Sequence, residues 1–266
     1  MAGNARKIAL NDITHALKKI DLAALLGWHD VKQRYMRSAL GPFWLTLSMA
    51  IMIGAIGIVF SQLFQTPLKE FLPFLTIGII LWSFMLTSLS EACTSFIMAD
   101  GIVKQLPIPL FTHIIRSLWR NMIIFAHNII IAPFVFLIVG ASWHWNALLA
   151  IPGFILVCIN LAWVMLILAV VCTRYRDLIQ IVASILQVLF YISPVMWMPQ
   201  RLPDHIAKYL LTPNPVYHLL EIVRAPLLGQ LPNSLNWITA IVMAMAGWSV
   251  AIVFYGKFRY RIAYWL

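Results

Sequence analysis

Charged residues are spaced so unevenly along this chain that the gaps between them outline its elements. None falls between Arg37 and Lys69, Glu70 and Glu91, Arg120 and Arg174, Asp177 and Arg201, or Arg224 and Lys257. An ion in hydrocarbon is costly, and a helix needs about 20 mostly apolar residues to cross a bilayer, so each gap is a place for a span. The third gap is too long for one helix and is interrupted by SWHWN at residues 142–146, so it holds two. The pattern predicts an all-α membrane protein with six transmembrane helices near residues 42–64, 71–93, 117–140, 147–172, 178–198 and 236–256.

The polar stretches between spans carry patterns of their own. In the arm over residues 1–41, Asn11 or Asp12 can cap a helix in which Ile13, Leu17, Ile20 and Ala24 recur at helical spacing, a helix expected to lie on the membrane. Wound as a helix, WHDVKQRYMRS at 28–38 gathers Trp28, Val31 and Tyr35 on one arc, with His29, Asp30, Gln33, Arg34 and Arg37 opposite and Lys32 on the apolar shoulder. This is the signature of an interfacial amphipathic helix. Between the second and third spans, Ile97, Ile102 and Leu106 alternate with Asp100, Lys104 and Gln105, which predicts a short surface helix stopped by Pro107 and Pro109. It either docks a partner or rests on the headgroups. Before the last span, 203–211 reads as one short helix and NPVYHLLEIVRAPLLGQ at 214–230 as another, capped by Asn214, opened by Pro215 and closed before Pro226. Neither can cross a bilayer, so the two are expected to form a re-entrant or interfacial pair.

Composition agrees with the pattern: 62% of residues are hydrophobic, 11% are charged, and mean hydropathy is +0.88. An even number of spans puts both termini on one side, and the basic residues choose the side. Arg6, Lys7, Lys18, Lys19, Lys32, Arg34, Arg37, Lys104, Arg116, Arg120, Arg174, Arg176, Lys257, Arg259 and Arg261 fall with the termini, while only Lys69, Arg201, Lys208 and Arg224 fall opposite. The positive-inside rule therefore predicts cytoplasmic termini. The net charge of +10 is then a topology signal and a hold on anionic lipid headgroups, and with no basic soluble domain it does not point to nucleic acid. A basic arm of about forty residues ahead of the first span argues against a cleavable signal peptide. Cys93, Cys158 and Cys172, in or near spans, are expected to be free thiols.

Candidate chemistry is sparse. The nine acids form no close pair on one helix face, the seven histidines lack metal-ligand spacing, and neither GxSxG, HExxH nor a Cys-His cluster occurs. GxxxxGK[ST] is also missing, so the chain has no phosphate-cradling loop for ATP. Within the spans only His127 is ionisable in mid-helix, which disfavours a proton relay. A membrane-embedded lipid or glycan transferase stays open, with Glu91, Asp100 and Asp177 as its candidate acids.

WHDVKQRYMRSALGPFW at the first span, the structured loop after the second, and NPVYHLLEIVRAPLLG before the last together resemble the permease of a type-2 ABC exporter. More narrowly, the chain is similar to permeases of polysaccharide exporters that carry lipopolysaccharide O-antigen. The resemblance runs from about Leu25 onward and implies an arm at 1–41, a transmembrane domain at 42–258 and a cytoplasmic tail at 259–266. It implies a homodimer in the bacterial inner membrane with two copies of a cytoplasmic ATPase, which holds ATP and magnesium, so that this chain binds no cofactor. The cargo implied is an undecaprenyl-pyrophosphate-linked glycan; capsule, teichoic acid or another amphiphile are alternatives on the same machine. By the same resemblance, residues 97–106, including Ile97, Asp100, Ile102, Lys104 and Leu106, form the coupling helix. Arg174, Arg176 and Asp177 of TRYRD make a further ATPase contact, and 203–229, with Tyr217, Glu221 and Arg224, gates the external exit. The coupling region ends PIPLF, without the basic residue that often follows the proline in relatives.

Two physical readings accompany this. Arg34 and Arg37, with Lys32, lie where a pyrophosphate headgroup would arrive, and guanidinium suits bidentate phosphate contacts; the same residues also serve as plain positive-inside anchors. Phe60, Phe64, Trp82, Phe190, Tyr191 and Trp197 offer faces along which sugar rings can slide, or else form interfacial belt and packing. Glu221 and Arg224 are expected to pair with each other or across a dimer, as an exposed pair of small energetic worth.

Overall fold

A computed structural model describes residues 2–36, 43–141 and 144–266, and all regular structure among them is helical. Helix α4 (Leu68–Met98) is the axis of the molecule. From Phe71 to Trp82 it carries no charge and is apolar on nearly every side, and such a helix needs neighbours all round; Phe71, Leu75, Ile77, Ile80, Leu81 and Phe84 are buried. Around it stand α3 (Phe43–Leu63), α6 (Phe111–Asn128) with α7 (Ile131–Val139), α8 (Ala150–Arg174), α9 (Leu178–Ile192) and α11 (Pro215–Leu227). Helix α12 (Ser234–Phe258) packs against α8 and α11. Helices α1 (Ala2–Lys18) and α2 (Ile20–Tyr35) brace one end of this bundle, against α12 and α6. We call that end the terminal face and the opposite end the far face. At the terminal face α5 (Asp100–Gln105) joins α4 to α6, and α13 (Ile262–Trp265) follows a 3₁₀ turn after α12; at the far face α10 (Asp204–Leu211) precedes α11.

Five apolar helical stretches reach spanning length among the described residues: Phe43–Leu63, Leu68–Met98, Phe111–Val139, Trp145–Arg174 and Ser234–Trp265. The third is interrupted between Asn128 and Ile131, where Pro133, third residue of α7, has no N–H for the carbonyl of Ile129. The fifth expected span, 178–198, is cut short. Helix α9 stops at Ile192, which gives about 22 Å of helix against a hydrocarbon core of about 30 Å. The chain then turns inward through Ser193 and Val195, both fully buried. This strap crosses α4 at Gly78, where a Cβ would stand 2.6 Å from the Val195 carbonyl oxygen.

The arm also differs from expectation. Asp12 caps no helix of its own, because α1 begins at Ala2 and breaks at Lys18 and Lys19. Of the expected stripe, Ile13 is buried but Leu17 and Ile20 are half exposed, since α1 turns Ala9, Asp12, Ile13 and Ala16 toward its neighbours. On α2 the inward positions are Ala23, Gly27 and Val31, while Trp28 is 58% exposed. Small residues at that spacing let α2 approach α6 closely: a Cβ on Gly27 would stand 3.0 Å from the Arg116 carbonyl oxygen.

Helix α11 starts as the sequence predicts. Asn214 Oδ1 accepts from the backbone N–H of Val216 at 3.0 Å and of Tyr217 at 3.2 Å. It continues past Pro226 to Leu227, because the proline sits in the last turn, where only the carbonyl of Ile222 loses a donor. That carbonyl faces Gly153 of α8, so the two backbones meet where a side chain would intrude.

Candidate functional site: two polar faces and an aromatic path

At the terminal face, acids inside helices recruit two of the arginines that the charge count places with the termini. Asp30 of α2 receives Arg116 through both oxygens, Nε to Oδ2 at 2.7 Å and NH2 to Oδ1 at 2.5 Å, a bidentate fork. Arg120 bridges two helices, with NH1 on Asp30 at 2.9 Å and NH2 on Glu91 of α4 at 2.6 Å. Asn121 donates to the same Glu91 oxygen at 2.7 Å. Burial alone would raise the Asp30 carboxyl; the hydrogen bond and charge of Arg116, reinforced by Arg120, hold it below the usual carboxylate range. One cluster thus ties α2 to α6 and to the second half of α4, which leads into α5.

Asp12 makes a second knot. Its carboxylate accepts from the backbone N–H groups of Leu110 at 3.2 Å and Phe111 at 3.0 Å, so it caps α6 in place of a local residue. It also accepts from Tyr255 Oη at 2.7 Å and Arg259 Nε at 2.8 Å, both at the end of α12. Sequence spacing could not reveal this cap, since Asp12 and the capped turn lie in different elements. The signal that was available is an acid within a membrane-flanking helix, which calls for partners.

The expected coupling segment divides. Ile97 lies in the last turn of α4, whereas Asp100, Ile102 and Lys104 form α5, closed by an ion pair of 2.8 Å between Lys104 and Asp100, and Leu106 follows it, half exposed. Arg174, which ends α8, and Arg176 and Asp177, which follow it, are exposed, and the Arg174 guanidinium lies over the rings of Tyr175 at 5.0 Å and Trp265 at 5.2 Å. Lys32 is exposed on α2; the Arg34 side chain and all of Arg37 lie outside the described residues.

At the far face the pair Glu221 and Arg224 is present, but it is not an exposed pair. Arg224 is completely buried, the largest such side chain in the protein's described part. Its Nε and NH2 donate to Glu221, NH1 donates to the Pro194 carbonyl at 2.5 Å, and its guanidinium lies 3.9 Å from the centre of the Phe74 ring. Arg224 therefore fastens α11 to the strap and to α4. Asn214 adds a second fastening, Nδ2 to Ser193 Oγ at 2.9 Å, and His218 bridges the Thr212 carbonyl and Asn236 Oδ1, each at 2.9 Å. Tyr217 stands half-buried beside them. A cavity of about 630 Å³ opens here, with Lys69, Glu70, Gln200, Glu221 and Gln230 among its polar walls.

The six aromatics separate into two groups along α3, α4 and α9. Trp82 and Phe190, with ring centres 5.6 Å apart, line a cavity of about 310 Å³ between these helices, and Tyr191 packs on Phe190 at 5.3 Å. Nearer the far face, Phe64 and Trp197 line a second cavity of about 290 Å³, and Phe60 packs on Phe64 at 5.5 Å. Trp197 Nε1 donates to the Tyr191 carbonyl at 3.1 Å, which joins the groups. Helix α3 buries only Ile53, Gly57 and Ser61, and α9 only Leu186, so both leave wide apolar faces uncovered. No group of three His, Cys, Asp or Glu converges as a metal site among the described residues.

Comparison with known proteins matches residues 22–228 to the family described as "ABC-2 type transporter". Members of this family are membrane subunits of transporters rather than enzymes, and ATP is hydrolysed on a separate subunit. The chain is 22% identical over 251 residues to the O-antigen export system permease protein RfbA of Klebsiella pneumoniae, covering 91% of this chain and 94% of that one. It is 27% identical over 214 residues to the polysialic acid transport protein KpsM of Escherichia coli, covering 78% and 81%. An O-antigen export permease of Myxococcus xanthus is 22% identical over 201 residues, covering 74% and 76%.

Proposed function

Because this chain belongs to the ABC-2 type transporter family, we propose that it is the permease of an ATP-driven exporter of lipid-linked polysaccharide, with O-antigen as its cargo. The observation that carries the cargo is the near full-length likeness to O-antigen export permeases. The aromatic faces of Trp82, Phe190, Phe64 and Trp197 support it, since they offer stacking without a fixed register to a polymer that must slide. In this reading the terminal face is cytoplasmic, in the inner membrane, and α9 with the strap after it completes a sixth crossing. Two copies meet through the uncovered faces of α3 and α9, and the partner ATPases hold ATP and magnesium. Undecaprenyl pyrophosphate arrives beside Lys32 of α2, with Lys32, Arg34 and Arg37 as its contacts. ATPase closure is delivered through α5 and TRYRD, and moves α10 and α11 at the exit, where Tyr217, Glu221 and Arg224 govern opening.

The test is removal of the chain from its native host. Glycan bound to undecaprenyl pyrophosphate then accumulates on the cytoplasmic leaflet and disappears from the cell surface. Unchanged surface glycan would contradict the proposal. A second reading, an acidic capsular cargo, is favoured by the likeness to the polysialic acid transport protein; loss of capsule with intact O-antigen would select it.

A further inference from the structure

We infer that helix α13 is the second half of the platform on which the ATPase docks, a partner surface that bears both on α5 and on the ATPase itself. The inference rests on the reading of α5 as the coupling element. A helix of only six residues does not hold its own shape in water, so α5 depends on what it packs against. Its neighbours are α4, from which it grows, and α13. Helix α13 is itself anchored: Ile262 is completely buried, and Trp265 packs on Phe258 at 5.6 Å beneath the Arg174 guanidinium. The three cytoplasmic segments, α5, TRYRD and α13, are thus one assembly rather than separate loops.

That assembly presents what an isolated soluble face would hide. Tyr264 is 89% exposed and Met98 83%, and Leu106 and Tyr175 are about half exposed. Leu68–Met98 and Ser234–Trp265 are each longer than the about 20 residues that cross a hydrocarbon core, so large exposed apolar groups at their terminal-face ends mark a surface that something covers. The segments that carry them are basic: Lys104, Arg174, Arg176, Lys257 and Arg261 outnumber the acids Asp100 and Asp177, and Asp100 is already paired with Lys104. The surface therefore fits a protein partner with an apolar groove and an acidic rim, and its continuity with α5 makes that partner the ATPase. Trp265 acts as a positioning residue, holding α13 and Arg174 in register with α5, whereas Tyr264 makes the contact.

The experiment places a photo-crosslinking amino acid at Tyr264, and separately at Lys104 of α5, in the full chain co-expressed with its ATPase in native membranes. Crosslinks to the ATPase from both positions are expected. A crosslink from position 104 alone, or a lipid adduct at 264, overturns the inference and leaves the coupling reading intact. A crosslink from 264 alone rejects α5 as the coupling element and with it the two-part platform; none from either position overturns both. Tyr264→Ala supplies an independent measure. Loss of an exposed aromatic anchor should weaken ATPase co-purification about tenfold with no change in the thermal unfolding of the permease. Unaltered co-purification would overturn the inference.

Discussion

Arg120 and Arg224 are both arginines in a membrane bundle, and they are held in opposite ways. Arg120 stays partly exposed and bridges carboxylates from two helices, one of which Arg116 also serves. Arg224 is fully buried and depends on one carboxylate in its own helix, one carbonyl of the strap and one aromatic face. The terminal-face cluster is therefore redundant, because losing one contact leaves each carboxylate another. The far-face fastening is singular. A shared ionic network can rearrange, while a single buried pin either holds or releases.

The largest effect is expected of Arg224→Ala. It strands the Glu221 carboxylate and the Pro194 carbonyl, and should cost about 3–5 kcal/mol in thermal unfolding of the purified protein. Arg224→Lys should recover only part, since an ammonium cannot fork to Glu221 and reach Pro194 together. Next is Gly153→Ala, whose Cβ meets the Ile222 carbonyl; forcing α8 and α11 apart should cost about 1–3 kcal/mol by the same measurement.

Asp30→Asn tests redundancy. With Glu91 still holding Arg120, the loss should be about 1–2 kcal/mol, and a double-mutant cycle with Glu91→Gln should be non-additive. The pH dependence has a definite sign. A carboxylate with a lowered folded pKa stabilises the protein above its unfolded value of about 3.9, and that stabilisation is lost as pH falls through the lower folded value. The wild-type advantage over Asp30→Asn should thus be flat near neutrality and shrink only below about pH 4. Smallest of all is Lys104→Ala: an exposed pair at one-turn spacing should change stability by less than about 0.5 kcal/mol, yet ATPase stimulation should fall.

Much of the architecture was legible in the chain because lipid forbids charge. The gaps between ions located α3, α4, the α6 and α7 pair, α8 and α12, and Asn214 with Pro215 marked the start of α11. The terminus of α9 was not legible, because its limit is set by Gly78 and Arg224, which lie in other elements. The same cause hid the roles of Asp12 and Asp30: local patterning shows which arc of a helix is polar, not which distant backbone or arginine that arc will meet. Trp28 illustrates the converse, since its place on an apolar arc is compatible with lipid as well as with α6. Among the aromatics, residue type pointed to stacking surfaces, but only the packing of α3, α4 and α9 sorted them into two cavities.

As the proposed permease of an ATP-driven exporter, this chain should pass a lipid-linked glycan only when a separate ATPase drives it. Proteoliposomes holding the permease with its ATPase, loaded on one leaflet with undecaprenyl-pyrophosphate-linked glycan, test it directly through a lectin confined to the other side. Lectin-accessible glycan is expected only when both subunits and ATP are present. Equal transfer by the permease alone, without ATP, would contradict it.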